Sequence, residues 1–155
     1  DDPGDCDMMG LKTLRGGESM SEANKAVASK AWKGISAGDV DKALAPYASD
    51  ATYHSTDGDF SGREAVKEYL SVYFNAFSNI NMTVEDMLAE GDKVVSRVTV
   101  TATHTGELQG MPPTGKQINV SGMSIMRIAN GEIAEEWGIF DLMSMMQQLG
   151  AIPSE

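Results

Sequence analysis

Few residues in this chain can do chemistry, and two stand at the ends of strand-like segments. His104, one of two histidines, closes the alternating run VVSRVTVTATH and shares a parity with Val94, Val98, Val100 and Ala102. That parity puts it on an apolar strand face, just before the loop at Gly106. An inward imidazole at a loop mouth can serve as general base or hydrogen-bond donor. The competing reading is a strand-end histidine satisfied by backbone or water. Asp141 ends the segment EIAEEWGIFD on the parity of Trp137. A carboxylate against an indole has its pKa raised and can act as an acid. Equally, aspartate is a preferred N-cap, and a helix can start at Leu142.

Around these two, Tyr53 and His54 are placed at a rim, where a tyrosine hydroxyl in an apolar site can donate to a carbonyl oxygen. Trp32 and Trp137 offer large apolar walls or ordinary core packing. Of the neighbours Glu135 and Glu136, alternation sends one inward and the other out. Methionines at 123, 126, 143, 145 and 146 suit an adaptable pocket or simple core filling. No HExxH, CxxC or EF-hand spacing is present, so neither a metal nor a cofactor is expected. GxSxG and GxGxxG are absent too, which removes the hydrolase elbow and the dinucleotide cradle.

The elements that must hold these residues follow from period and punctuation. Residues 1–19 lack periodicity and read as an extension, with residues 20–155 as one domain. Ser19 and Glu22 have capping-box spacing ahead of the stripe Ala23, Val27, Ala31 and Ile35, which ends at Gly38. Asp39 can cap a short second helix through Tyr47, limited by Pro46. Asp50 to His54 is a short edge strand or rim, followed by a loop at Thr56-Asp57-Gly58-Asp59. Ser61 and Glu64 form a second capping box before Val66, Tyr69, Leu70, Tyr73, Phe74 and Phe77. Ile80, Met82 and Val84 begin a four-strand meander that turns at Gly91-Asp92. Asn130-Gly131 then fits a two-residue type I′ hairpin. Leu142 to Leu149 closes the chain as a short helix stopped by Gly150. Helices gathered on one face of a curved antiparallel sheet make an α+β domain with a conical hollow.

Composition narrows the partners. With 23 acidic against 12 basic residues the formal charge is −11, which disfavours nucleic acid and anionic membrane surfaces. No long apolar run or signal core appears, so a cytoplasmic protein is expected. Cys6 is alone and cannot form an internal disulfide. The last two strands are apolar on both parities, so a second subunit is expected on the outer sheet face.

The stretches TATHTGELQGMPPTGKQI, SIMRIANGEIAEEW and FDLMSMMQQLG resemble the SnoaL-like polyketide cyclases, also described as predicted ester cyclases, of the nuclear transport factor two superfamily. The resemblance spans about Ala23 to Gly150 and implies a conical α+β fold around a small-molecule pocket. It further implies a cofactor-independent enzyme acting by proton transfer on a small, largely apolar carbonyl or ester compound. Its aldol-type members carry an acid/base aspartate at the position of Gly138 and a partner histidine at that of Ser124. Neither identity is kept here, whereas His104 and Asp141 match the general family pattern. His104 and Asp141 are thus the catalytic candidates, and Trp32, Tyr53, His54, Phe74, Ser124, Glu136 and Trp137 the pocket. A non-catalytic binding or dimerisation module is the alternative.

Overall fold

The computed structural model describes residues 7–154, with the backbone alone for residues 7–19. In chain order the elements are α1 (Asp7–Ser36), α2 (Val40–Leu44), β1 (Tyr47–Ser55), β2 (Gly58–Ser61), α3 (Arg63–Ala76), β3 (Phe77–Glu90), β4 (Lys93–His104), β5 (Gln117–Ala129), β6 (Glu132–Phe140) and α4 (Leu142–Leu149). The strands form one curved, open six-stranded sheet in the order β2-β1-β6-β5-β4-β3. Cys6 and the start of the N-terminal extension lie outside the described residues. From Asp7 the chain is already helical, so Ser19 sits inside α1 rather than capping it. Helix propagates cheaply once nucleated, and no proline between Met8 and Ser19 stops it.

The meander is as the turn chemistry requires. Asn130 (φ 53°) and Gly131 (φ 75°) both occupy the left-handed region, and Ala129 pairs with Glu132 across the two-residue turn. Along β5 every even-numbered residue from Ile118 to Ile128 is buried. Along β4 the even positions Val94, Ser96, Val98, Ala102 and His104 are likewise buried. One sheet face is therefore turned toward the helices.

Three local expectations change. Ser61 ends β2, and Gly62 stands at the N-cap of α3 without a side-chain hydrogen bond, so the second capping box does not form. β1 is not an edge strand. It pairs antiparallel with β2 and parallel with β6, because Gly58 lets the expected loop fold back as a further strand after Thr56-Asp57. In β6 the inward parity switches: Ile133 is fully buried, yet so, after one extra residue, are Glu136 and Gly138. Register shifts between Arg127 and Ile128, pairing them with Glu135 and Ile133 and leaving Ala134 as a bulge. Glu136, Gly138 and Phe140 thus face the helices, and Trp137 and Ile139 face outward.

Two apolar clusters fill the space under the sheet. One gathers Trp32, Leu44, Tyr47, Val66, Met126 and Ile133; the other gathers Phe77, Ala102, Leu108, Ile118, Met145 and Leu149. Phe140 packs against both. Between them a hollow is left open.

Candidate active site

The hollow is a cavity of about 150 Å³ walled by α1, α3, α4 and the buried face of the sheet. Its lining is mainly aromatic and aliphatic, including Trp32, Leu70, Phe74, Phe77, Phe140 and Met145. Among its lining residues Glu136 is the one carboxylic acid, and no lysine or arginine is present. Glu136 is 4 % exposed, and burial raises its pKa, partly offset by hydrogen bonds from Ser124 and Tyr47. Ser124 Oγ donates to Glu136 Oε1 at 2.6 Å, and the Tyr47 hydroxyl donates to Oε2. The same layer continues through Ser96, the cross-strand partner of Ser124, which accepts from Trp32 Nε1 at 3.1 Å. A buried acid is tolerated because each oxygen has a donor.

Tyr53 lies beside Glu136 in the β1–β6 register and borders the cavity. Burial first, then the Glu136 charge, hold its phenol well above the ordinary tyrosine range, so it stays a proton-bearing donor. The hydroxyls of Tyr47, Tyr69 and Tyr73 each donate to a carboxylate, Glu136 for the first and Asp57 for the other two. The Tyr53 hydroxyl makes no such bond among the described residues. At the other end Ser55, Thr56, Tyr69 and Tyr73 line the cavity, where Tyr69 and Tyr73 hold Asp57 at 3.0 and 3.2 Å. A buried carboxylate next to a free phenol can accept a proton while the phenol stabilises charge on an oxygen.

The expected site residues divide. Trp32, Tyr53, Phe74 and Glu136 line the cavity, and Ser124 supports Glu136 from behind. His54 and Trp137 do not line it. They stack on each other on the outer face, with centroids 5.3 Å apart and planes at 16°. His54 is bound by Asp59 at 2.7 Å and Glu135 at 2.9 Å, and its pKa is raised by Glu135 first and then Asp59. The bulge at Ala134 turns Trp137 outward by reversing the parity of β6, and His54 faces outward as the strand neighbour of the inward Tyr53. The Trp137 indole therefore lies against His54 and not against Asp141. Asp141 is exposed, caps α4 by accepting from the Ser144 N–H at 2.9 Å, and does not line the cavity.

His104 is fully buried but also off the cavity wall. Its Nδ1 accepts the Thr114 N–H at 3.1 Å, so the proton of the neutral ring sits on Nε2, which has no partner among the described residues. It clips the loop before β5, and Phe77 packs beside it at 5.3 Å. The sequence pattern places Tyr47 at the end of α2 and gives no sign of its contact with Glu136; Pro46 ends that helix and makes Tyr47 the first residue of β1. Tyr69 and Tyr73, on the apolar stripe of α3, face the cavity; Phe77, expected on the same helix, instead begins β3 and lines the cavity from the sheet.

Fold and hollow define a cone-type α+β domain around an apolar cavity. The chain belongs to the SnoaL-like polyketide cyclase family, whose model matches residues 25–149. No curated protein matches the sequence. Among solved structures it is similar to IdmH of Streptomyces antibioticus, described as a polyketide cyclase, at 28% identity and TM-score 0.72, covering 82% of this chain and 98% of that one. It is similar also to AclR of Streptomyces galilaeus, described as a hydroxylase, at 26% identity and TM-score 0.77, covering 85% and 83%. A SnoaL-like protein of Jannaschia sp. CCS1 shares the fold at 21% identity and TM-score 0.78, covering 86% and 96%.

Proposed function

We propose that this protein is a cofactor-independent enzyme that moves a proton on a small, uncharged, largely apolar carbonyl or ester compound. The supporting observation is the buried Glu136 carboxyl beside the unengaged Tyr53 hydroxyl in a cavity otherwise made of hydrocarbon and aromatic rings. With no lysine or arginine in the lining, a carboxylate or phosphate on the ligand would find no counter-charge. In this reading Glu136 takes a proton from the carbon next to the carbonyl. The electron pair moves onto the carbonyl oxygen, which accepts a hydrogen bond from Tyr53. The enolate then recovers the proton from Glu136, or its carbon attacks a second carbonyl of the same molecule to close a ring, the resulting alkoxide taking the proton back from Glu136. His104 and Asp141 serve the scaffold, as loop clip and helix cap.

The test uses β-tetralone, a bicyclic ketone, in deuterated buffer, with exchange of its α-protons followed by NMR. The protein accelerates exchange, and Glu136→Gln lowers the rate by about 10²-fold or more. Exchange by Glu136→Gln within twofold of the unaltered protein would refute the role. The second reading, binding without catalysis, draws on Gly138 and Ser124 in place of the family's acid/base pair. It predicts that β-tetralone binds and its α-protons do not exchange.

We further propose that the outer sheet face carries a second copy of the chain. Met123, Ile125, Trp137 and Ile139 are exposed there as facing pairs, Met123 with Ile139 and Ile125 with Trp137. An apolar patch of this kind is characteristic of an interface. Sedimentation at micromolar concentration is expected to give twice the single-chain mass, and only the single-chain mass would reject it.

A further inference from the structure

Gly138 lies in the middle of β6 on the cavity face, and its backbone gives no reason for a glycine. Its φ lies outside the left-handed region that Asn130 and Gly131 occupy. A glycine inside a strand weakens it, and a common reason for one is close approach by another group. Here the approaching group is the phenol of Tyr53. A Cβ at position 138 would lie 2.5 Å from Tyr53 Oη and 3.0 Å from Cε2 and Cζ. On its other side the Tyr53 ring is tilted against Tyr69, with centroids 5.8 Å apart. A displaced ring would therefore move against Tyr69 or into the cavity it borders.

We propose that Gly138 is a positioning residue: the side chain it lacks leaves the notch in which the Tyr53 phenol rests, with its hydroxyl beside Glu136 and free for a ligand oxygen. The inference rests on the reading that Tyr53 donates to a carbonyl, and it names what selects a carbonyl-bearing ligand over a hydrocarbon of the same shape. A methyl group at 138 must displace the phenol from this position, because the contacted atoms are the rigid head of the ring. The hydroxyl is then lost as a donor without being removed chemically.

The test compares binding of β-tetralone and its deoxy counterpart tetralin, read from quenching of tryptophan fluorescence, since Trp32 borders the cavity. The unaltered protein is expected to prefer the ketone by about tenfold, the worth of one good hydrogen bond. Tyr53→Phe and Gly138→Ala should each reduce that preference to about threefold or less. In a Tyr53→Ala background, where nothing is left to collide, adding Gly138→Ala should fold normally and change the preference by less than about twofold. A Gly138→Ala protein that keeps the tenfold preference, even with a lowered Tm, overturns the proposal. So does a further loss in the Tyr53→Ala background, or an unaltered protein with no ketone preference. The exchange assay on Glu136→Gln fails independently of these ratios, so loss of the catalytic reading and loss of this one are distinguishable.

Discussion

Glu135 and Glu136 are neighbours in sequence and opposites in environment. Glu135 points to the outer face, where its side chain is 26% exposed and meets His54 Nε2 at 2.9 Å and Arg127 Nε at 3.2 Å. Its pKa is lowered, by His54 first, with Arg127 adding to the effect. Glu136 points inward, has only hydroxyl donors for company, and its pKa is raised by burial. One strand thus makes an ordinary surface ion pair and a poised buried acid from the same residue type. What separates them is which side of the sheet each faces, and the bulge at Ala134 decides that.

The sharpest way to break this contrast is to neutralise each glutamate and follow stability against pH. For Glu136 the folded chain holds the proton more tightly than the unfolded chain, whose ordinary value is near 4.5. Stability of the unaltered protein therefore falls as pH rises from about 4.5 through the raised folded value, then levels. Glu136→Gln lacks this fall, so it should gain on the unaltered protein as pH rises through the raised folded value. Chemical denaturation at stepped pH measures it, and an equal gap at every pH would contradict the buried charge.

The next largest effect concerns the two residues that serve the scaffold. His104→Ala should cost about 2 kcal/mol through a lost loop clip and a cavity. Asp141→Ala should cost about 1 kcal/mol through a lost cap. Both should leave tetralone exchange per folded molecule within about twofold, against the 10²-fold expected of an acid/base group. A 10²-fold loss in either would move the chemistry away from Glu136.

Smallest is Glu135→Gln, and its sign is the reverse of its neighbour's. Because the folded pKa is depressed, the contribution of Glu135 is fully present above about pH 4.5 and is lost as pH falls through the folded value. The variant should be slightly less stable than the unaltered protein at neutral pH and match it in strong acid. Glutamines at 135 and 136 that moved stability the same way with pH would erase the contrast.

Much of the frame was legible in sequence because its signals are local. Asn130-Gly131 fixes a hairpin by conformation alone, Asp141 and Gly150 bracket α4, and the β4 and β5 alternation is strict. The site was less legible because it depends on non-local pairing. Whether Trp137 or Glu136 faces the hollow turns on one extra residue in β6, which strict alternation does not foresee. Tyr47 reaches Glu136 only because β1 enters the sheet parallel to β6, a neighbour 89 residues further along the chain. His104 illustrates the other difficulty: its inward parity was legible and correct, but an inward residue at the strand end meets packed core and loop, not the hollow.

The most direct measurement is the pH dependence of kcat/KM for α-proton exchange from β-tetralone by the unaltered protein and by Glu136→Gln. The account predicts a rate that climbs with pH through a single inflection above the ordinary glutamate value of 4.5 and then levels, with the variant far lower and without that inflection. The same inflection persisting in Glu136→Gln would show that another group takes the proton and would contradict the account.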